Sequence, residues 1–317
     1  MKRPLTGAEL AAVVREAFGP DVVLARGREL TEGTFNAGHL LELADGRRAV
    51  VKAAPPAGTP VLTYERGLLA TEALCLRAWA GRAPVPELLH VGQTVDGREY
   101  VVTSALPGAS WWSQRAAVTP AQRRELRRQL GRHVAALHTV TGSTFGYPGR
   151  ELAEGTWPAA YRRIVGALLA DAHRYGVALP ARTGEVLDAA AELLAPVATP
   201  VLVHFDLWDG NVFVDLERTA VTGLIDAERA LWADPAADLV SLSLSGPLGA
   251  DFLAGYAEAG GPVVLDDATR QRLQLYRAHL ALVMMIEPTP RGVPVAEAER
   301  TRAWVAPWLT EAFAALG

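Results

Sequence analysis

The period of the apolar residues changes along this 317-residue chain, and that change limits what it can fold into. From Val22 to Ala54, and again from Leu88 to Ser104, the apolar positions fall in short β-rich runs, with Asp45-Gly46 and Asp96-Gly97 between pairs of them. Such dipeptides supply the positive φ of a tight hairpin. Leu106-Pro107-Gly108 breaks the strand pattern, and beyond it the spacing is that of helices. One extended stretch interrupts the helical part: VLVHFDLWDGNVFVD followed by TAVTGLID, two short apolar runs flanking polar loops. The expectation is an α+β chain, with a small β-rich lobe over residues 1–105 and a larger, mainly helical lobe over 106–317.

Local signals mark the helices. Thr6 and Glu9 form a capping box ahead of Leu10, Val13, Val14 and Phe18, and Gly19-Pro20 supplies a stop. Residues 64–80 carry Leu69, Ala73, Leu76 and Trp79 on one face, with Glu72 beside them and Glu65 at the expected start. Thr119-Pro120 caps a helix whose buried stripe is Leu126, Leu130, Val134 and Leu137. Its Arg123, Arg124, Arg127, Arg128 and Arg132 read as a solvated face. Further helices are expected over 157–175, 184–195, 234–259, 267–287 and 296–315.

Half of the residues are apolar, enough for a large core. Cys75 is the single cysteine, so no internal disulfide forms, and Met1 to Gly19 lacks the apolar run of a signal peptide or membrane anchor. A cytoplasmic protein with no membrane partner is expected. The net charge of −4 argues against a nucleic-acid partner, which needs a basic stripe facing phosphates. That charge is uneven: residues 200–260 hold ten acids and two arginines, a region that attracts metal ions or cationic ligands. Only Lys2 and Lys52 are lysines among thirty-one basic residues. In so arginine-rich a chain, a lysine near the end of a strand is a candidate for a site that needs a compact ammonium, as phosphate binding can.

Within the acidic region, His204-Phe205-Asp206-Leu207-Trp208-Asp209-Gly210-Asn211 is followed fifteen positions later by Asp226. An aspartate that accepts a hydroxyl proton, an amide five residues on and a second carboxylate beyond a hairpin suit phosphoryl transfer with Mg²⁺. Asp206 is the candidate base, Asn211 and Asp226 the candidate metal ligands, and Lys52 the candidate partner of the α- and β-phosphates. Glu72 is the helix carboxylate expected to aim Lys52. His204, a poor Mg²⁺ ligand, is assigned to holding the loop by hydrogen bonds. Asp234 before Pro235 reads as a helix cap, and Asp238 as support for the loop backbone. No GxxxxGKS/T and no GxSxG occurs, no GxGxxG opens a helix after a strand, and no histidines fall at metal-hydrolase spacing.

VHFDLWDGN with GLIDAERALWADPAADL carries a resemblance to aminoglycoside phosphotransferases and choline-kinase-like small-molecule kinases. AVVKAA, ATEALCLRAWAGRAPVPELLHVG, ALPG, VAALH and LYRAHLALVMMIE support it, over Leu30 to Gly292. The resemblance implies a bilobal protein-kinase-like fold with a nucleotide-binding N-terminal lobe and a C-terminal lobe holding the catalytic loop and acceptor site. It implies ATP or GTP with two Mg²⁺ ions, the roles already given to Lys52, Glu72, Asp206, Asn211 and Asp226, and nucleotide contacts near Ser104 and Leu106. Phe205 stands where many relatives carry glycine. The phosphate-covering segment Thr31-Glu32-Gly33-Thr34-Phe35-Asn36 has one glycine, with the Thr34 hydroxyl as a phosphate contact. The implied reaction moves a γ-phosphoryl group to a hydroxyl of a small molecule, first of all an antibiotic. A sugar, choline-like or amino-alcohol metabolite is the alternative, and a nucleotide-binding pseudokinase the third reading. Trp208, Asp209, Glu228 and Glu287 are the expected acceptor contacts, their acids suited to an amino or polyhydroxy substrate.

Overall fold

The computed structural model describes residues 2–33, 35–149 and 152–316, so the Thr34 contact lies outside the described residues. The chain opens with α1 (Gly7–Phe18), capped by the reciprocal hydrogen bonds of Thr6 and Glu9. Five strands follow: β1 (Leu24–Leu30), β2 (Ala37–Leu43), β3 (Arg48–Ala53), β4 (Leu88–Gln93) and β5 (Glu99–Ser104). They form one antiparallel sheet in the order β1-β2-β3-β5-β4. Lys52 lies on the central strand, with Gly38 and Val101 as its cross-strand neighbours. Between β3 and β4 runs α2 (Leu68–Trp79), whose buried face includes Leu69, Ala73, Leu76 and Trp79 together with Glu72. Glu65 closes a short 3₁₀ turn ahead of α2 instead of facing its dipole, and its carboxylate accepts the Leu62 N–H.

At the end of the sheet the Ser104 hydroxyl accepts the Glu87 N–H, and Leu106 packs on Gly223. Gly108 is needed here, because its φ is +86° and a Cβ would sit 2.3 Å from the Val214 carbonyl oxygen. That close approach lets β6 (Ala109–Ser110) pair with a strand more than a hundred residues on. The helices α3 (Trp111–Gln114), α4 (Pro120–Leu137), α5 (Trp157–Arg174) and α6 (Thr183–Ala190) follow. The basic face of α4 is less solvated than its sequence suggests. Arg127 pairs with buried Asp209 and lies over the Trp111 ring, while Arg128 and Arg132 share Glu258.

Next come β7 (Val201–Val203), β8 (Val212–Asp215), β9 (Ala220–Leu224) and β10 (Leu231–Ala233), where β7 pairs with β10 and β8 lies between β6 and β9. The helix expected over 234–259 is broken. Asp234 caps a 3₁₀ turn, α7 (Asp238–Leu242) is short, and α8 (Ala250–Glu258) begins only after Gly246-Pro247. Gly246 has φ +133° and the following proline cannot continue a helix, so the punctuation outweighs the apolar periodicity. The chain ends with α9 (Asp267–Ile286) and α10 (Val295–Leu316). No helix among the described residues is long and apolar enough to cross a membrane.

Two cores meet at the interrupting stretch. Val203, Phe205 and Leu231 belong to one, with residues of α5, α9 and α10. Leu207, Val212, Val214 and Leu224 belong to the other, with residues of α4 and α8. Phe205 and Leu207 therefore anchor in different cores on either side of Asp206. Each such buried side chain stabilises by roughly 1.5–3 kcal/mol, which holds the intervening carboxylate in place.

Candidate active site

The loop between β7 and β8 is tied down through its main chain. Asp238, fully buried at the start of α7, accepts the His204 N–H at 3.1 Å and the Phe205 N–H at 2.5 Å, and contacts His138 Nε2 at 2.9 Å. The Ser241 hydroxyl accepts the Leu207 N–H and the Ser245 hydroxyl the Asp209 N–H. Asp238 thus reaches the backbone of this loop at two consecutive residues. Asp234 caps the Ala236 N–H and also binds Arg272 and the Tyr276 hydroxyl.

His204 lies parallel to the Trp79 ring and is buried, which lowers its pKa and keeps the imidazole neutral. It contacts the Ile225 carbonyl through Nε2 at 3.0 Å and accepts the Asp206 N–H at Nδ1 at 3.3 Å. One imidazole thereby joins the Asp206 loop to the turn that carries Asp226. The Ile225 N–H donates to the Asn211 carbonyl at 3.0 Å, a second tie between the same segments.

Phe205 and Asp226 are both left-handed, with φ of +60° and +67°. Such strain in residues other than glycine persists where surrounding structure enforces it. Phe205 stands where the resemblance puts glycine, yet its ring is buried against His279 at 4.8 Å. Phe205→Gly should relieve roughly 1 kcal/mol of backbone strain but forfeit about 3–5 kcal/mol of buried ring. Net destabilisation of about 2–4 kcal/mol in urea unfolding is expected; a more stable variant would contradict this balance.

Two charged clusters face the loop. In the first, Lys52 Nζ lies 2.7 Å from Glu72 and 2.8 Å from Asp226. Burial alone would lower the Lys52 pKa, but Asp226, Glu72 and Glu228 together raise it, so the ammonium stays charged. Burial raises the pKa of Glu72; Asp226 feels the same burial, but Lys52 holds it below the usual range. Glu228 is buried and raised, and it accepts the Asn36 amide N–H at 2.6 Å. Oxygens of Glu72, Asp226 and Glu228 lie within 4.8 Å of one another. Glu72 Oε2 and Asn36 Oδ1 are buried there without a hydrogen-bond partner. This excess of hard oxygen donors over cations fits a divalent ion such as Mg²⁺.

The second cluster centres on Asp206. Asn211 Nδ2 donates to its carbonyl at 2.8 Å and to Oδ2 at 3.2 Å, and Arg229 Nη1 lies 3.2 Å from Oδ1. Burial pushes the Asp206 pKa up to about 7 against the pull of Arg229. Arg229 also pairs with Glu287, and Arg291 pairs with both Glu287 and Glu65.

The structure brings Lys52, Glu72, Asp226 and Glu228 together and sets Asp206, Asn211 and Glu287 in a second group, with His204 between. Glu228 stands beside Lys52 and not with Glu287. Asp209 is buried against Arg127, and Trp208 is half-buried, its ring 5.9 Å from that of Trp112. Ser104 and Leu106 occupy the link between the sheet and β6. Arg229 and Arg291 are not among the candidates the sequence offers, and Asn36, part of the phosphate-covering segment, has no role there for its side chain. Arg229 had a signal, as one of two arginines among ten acids, whereas Asn36 and Arg291 reach their partners only through tertiary folding.

Solved structures of similar architecture include a putative fructosamine-3-kinase from Thermobifida fusca YX-ER1, 25% identical, covering 96% of this chain and 100% of that one with a TM-score of 0.67. Another is a thermostable mutant of the aminoglycoside phosphotransferase APH(4)-Ia in a ternary complex with AMP-PNP and hygromycin B, 18% identical, with 97% and 98% coverage and a TM-score of 0.64. A third is the GDP complex of a mutant aminoglycoside 2′-phosphotransferase-IIIa, 20% identical, with 98% and 100% coverage and a TM-score of 0.65. The two-part architecture, β-rich then helical, is the protein-kinase-like fold of such enzymes. Residues 26–276 match the sequence model of the phosphotransferase enzyme family, and with the match spanning most of its length the chain belongs to that family of phosphotransferases.

Proposed function

We propose that this enzyme moves the γ-phosphoryl group of ATP or GTP to a hydroxyl of a small polyhydroxylated molecule, with Asp206 as the base. The carrying observation is the pair of clusters joined by His204: a charged lysine among carboxylates on one side, and a carboxylate poised near neutrality on the other. Lys52, aimed by Glu72, binds the α- and β-phosphates. Asp226, with Glu228 beside it, and Asn211 from the Asp206 cluster would hold Mg²⁺, which when bound offsets charge on the phosphate oxygens. Asp206 orients the acceptor hydroxyl and takes its proton. Similar proteins solved with AMP-PNP or GDP support a nucleotide donor. The intact ion pair of Lys52 with Glu72 counts against a pseudokinase.

Modification of an antibiotic is the first reading of the acceptor, and APH(4)-Ia with hygromycin B supports it. A sugar-type metabolite is the second, favoured by the putative fructosamine-3-kinase and by the state of the acids. Glu287 is neutralised by two arginines, Asp209 by one, and Glu228 lies with Lys52. Little free negative charge then remains for a polycation, so a neutral or singly charged acceptor fits better than a polyamine. Incubation with γ-labelled ATP and GTP and a panel of antibiotics and sugar derivatives tests this. Phosphorylation of a neutral hydroxyl compound is the expected result. Turnover restricted to polycationic aminoglycosides would overturn the acceptor class, and transfer to none would overturn the reaction.

A further inference from the structure

Asp206 shares Arg229 with Glu287, and the sharing is unequal. Arg229 Nη2 lies 3.0 and 2.9 Å from the two Glu287 oxygens, whereas a single nitrogen, Nη1, reaches Asp206 at 3.2 Å. Glu287 caps the C-terminal end of α9, and Arg291, four residues on, binds it at 3.0 Å. Arg291 in turn binds Glu65 through Nη2 at 2.6 Å and Nε at 3.1 Å. Charges therefore alternate from Glu65 through Arg291, Glu287 and Arg229 to the base, with no side chain among them more than 14% exposed. Buried ion clusters of this kind add little stability over well-packed apolar side chains, so their position beside the base needs another explanation.

A guanidinium facing one carboxylate without competition closes on both oxygens as a two-pronged pair. On Asp206 that grip would compete for the lone pairs the acceptor hydroxyl needs. We propose that Glu287, anchored by Arg291, is a positioning residue that restricts Arg229 to one contact with Asp206 and so keeps the base open to the acceptor. This rests on the phosphoryl-transfer reading above. It separates the role of Glu287 from acceptor binding, since its carboxylate acts on Arg229 rather than on a substrate.

The test uses the full chain with Mg-ATP and Mg-GTP and water as the acceptor, following phosphate release. E287Q should lower kcat by about tenfold or more while the nucleotide KM stays within about twofold, the split expected when only the transfer step is affected. Adding R229K to E287Q should recover at least about threefold of that loss, because an ammonium cannot form the two-pronged grip. A kcat within twofold of wild type for E287Q, a loss carried by KM, or a double variant no faster than E287Q would each overturn the inference. Should E287Q fail to fold, R291K loosens the anchor while keeping its charge; it should lower kcat by about threefold, with the same recovery on adding R229K. A wild-type enzyme that releases phosphate from neither nucleotide and phosphorylates no compound of the acceptor panel would instead overturn the transfer reading itself.

Discussion

Asp206→Ala should lower phosphoryl transfer by about 10²–10⁴-fold, the range that a positioned general base supplies, while nucleotide affinity changes less than about threefold. The separation follows from the geometry: the cluster proposed to meet the nucleotide centres on Lys52, and Asp206 lies in the other one. Near wild-type transfer by this variant would remove Asp206 from the chemistry. The same residue sets the expected pH dependence. Only the ionised carboxylate accepts a proton, and burial pushes its pKa up to about 7, so the rate should climb as pH rises toward 7 and level off above it. Arg229 opposes that upward shift. Arg229→Met should therefore move the inflection to higher pH, and a shift to lower pH would show that the pair acts differently.

Asp238→Ala should cost about 3–5 kcal/mol of stability, the range for removing one partner from a buried charged network. The variant leaves the His204 and Phe205 N–H groups and the His138 imidazole without the acceptor that a fully buried carboxylate provides. Asp238→Asn keeps the shape and one acceptor oxygen and should lose less. Denaturant unfolding monitored by tryptophan fluorescence measures both. A loss below about 1 kcal/mol for the alanine variant, within the ordinary range for a surface site, would mean that the loop is held by other contacts.

Much of the site was legible because its chemistry depends on short spacings. Asp206 and Asn211 lie five residues apart in one loop, and the hairpin to Asp226 is read from its own apolar runs. Lys52 stood out because nearly every other basic residue is arginine, and Glu72 because it sat mid-helix beside the apolar stripe. The 234–259 segment was misread because apolar periodicity was followed through Gly246-Pro247. The ion relay was illegible for another reason. Glu65 and Arg291 are 226 residues apart, and no local pattern encodes which buried arginine will meet which carboxylate. The pairing of Asp209 was illegible in the same way, since its partner Arg127 looked like one more exposed cation on an arginine-rich helix.

The loop that carries Asp206 is fastened by its own N–H groups, at His204, Phe205, Leu207 and Asp209, to the side chains of Asp238, Ser241 and Ser245. None of those bonds depends on which side chain stands at Trp208. Half-exposed beside Trp112, that position can change identity while the base keeps its aim. A loop held this way separates the aim of the Asp206 carboxylate from the identity of the side chain two positions on, so a substitution at Trp208 can reshape the surface there without loosening the main chain that carries the carboxylate.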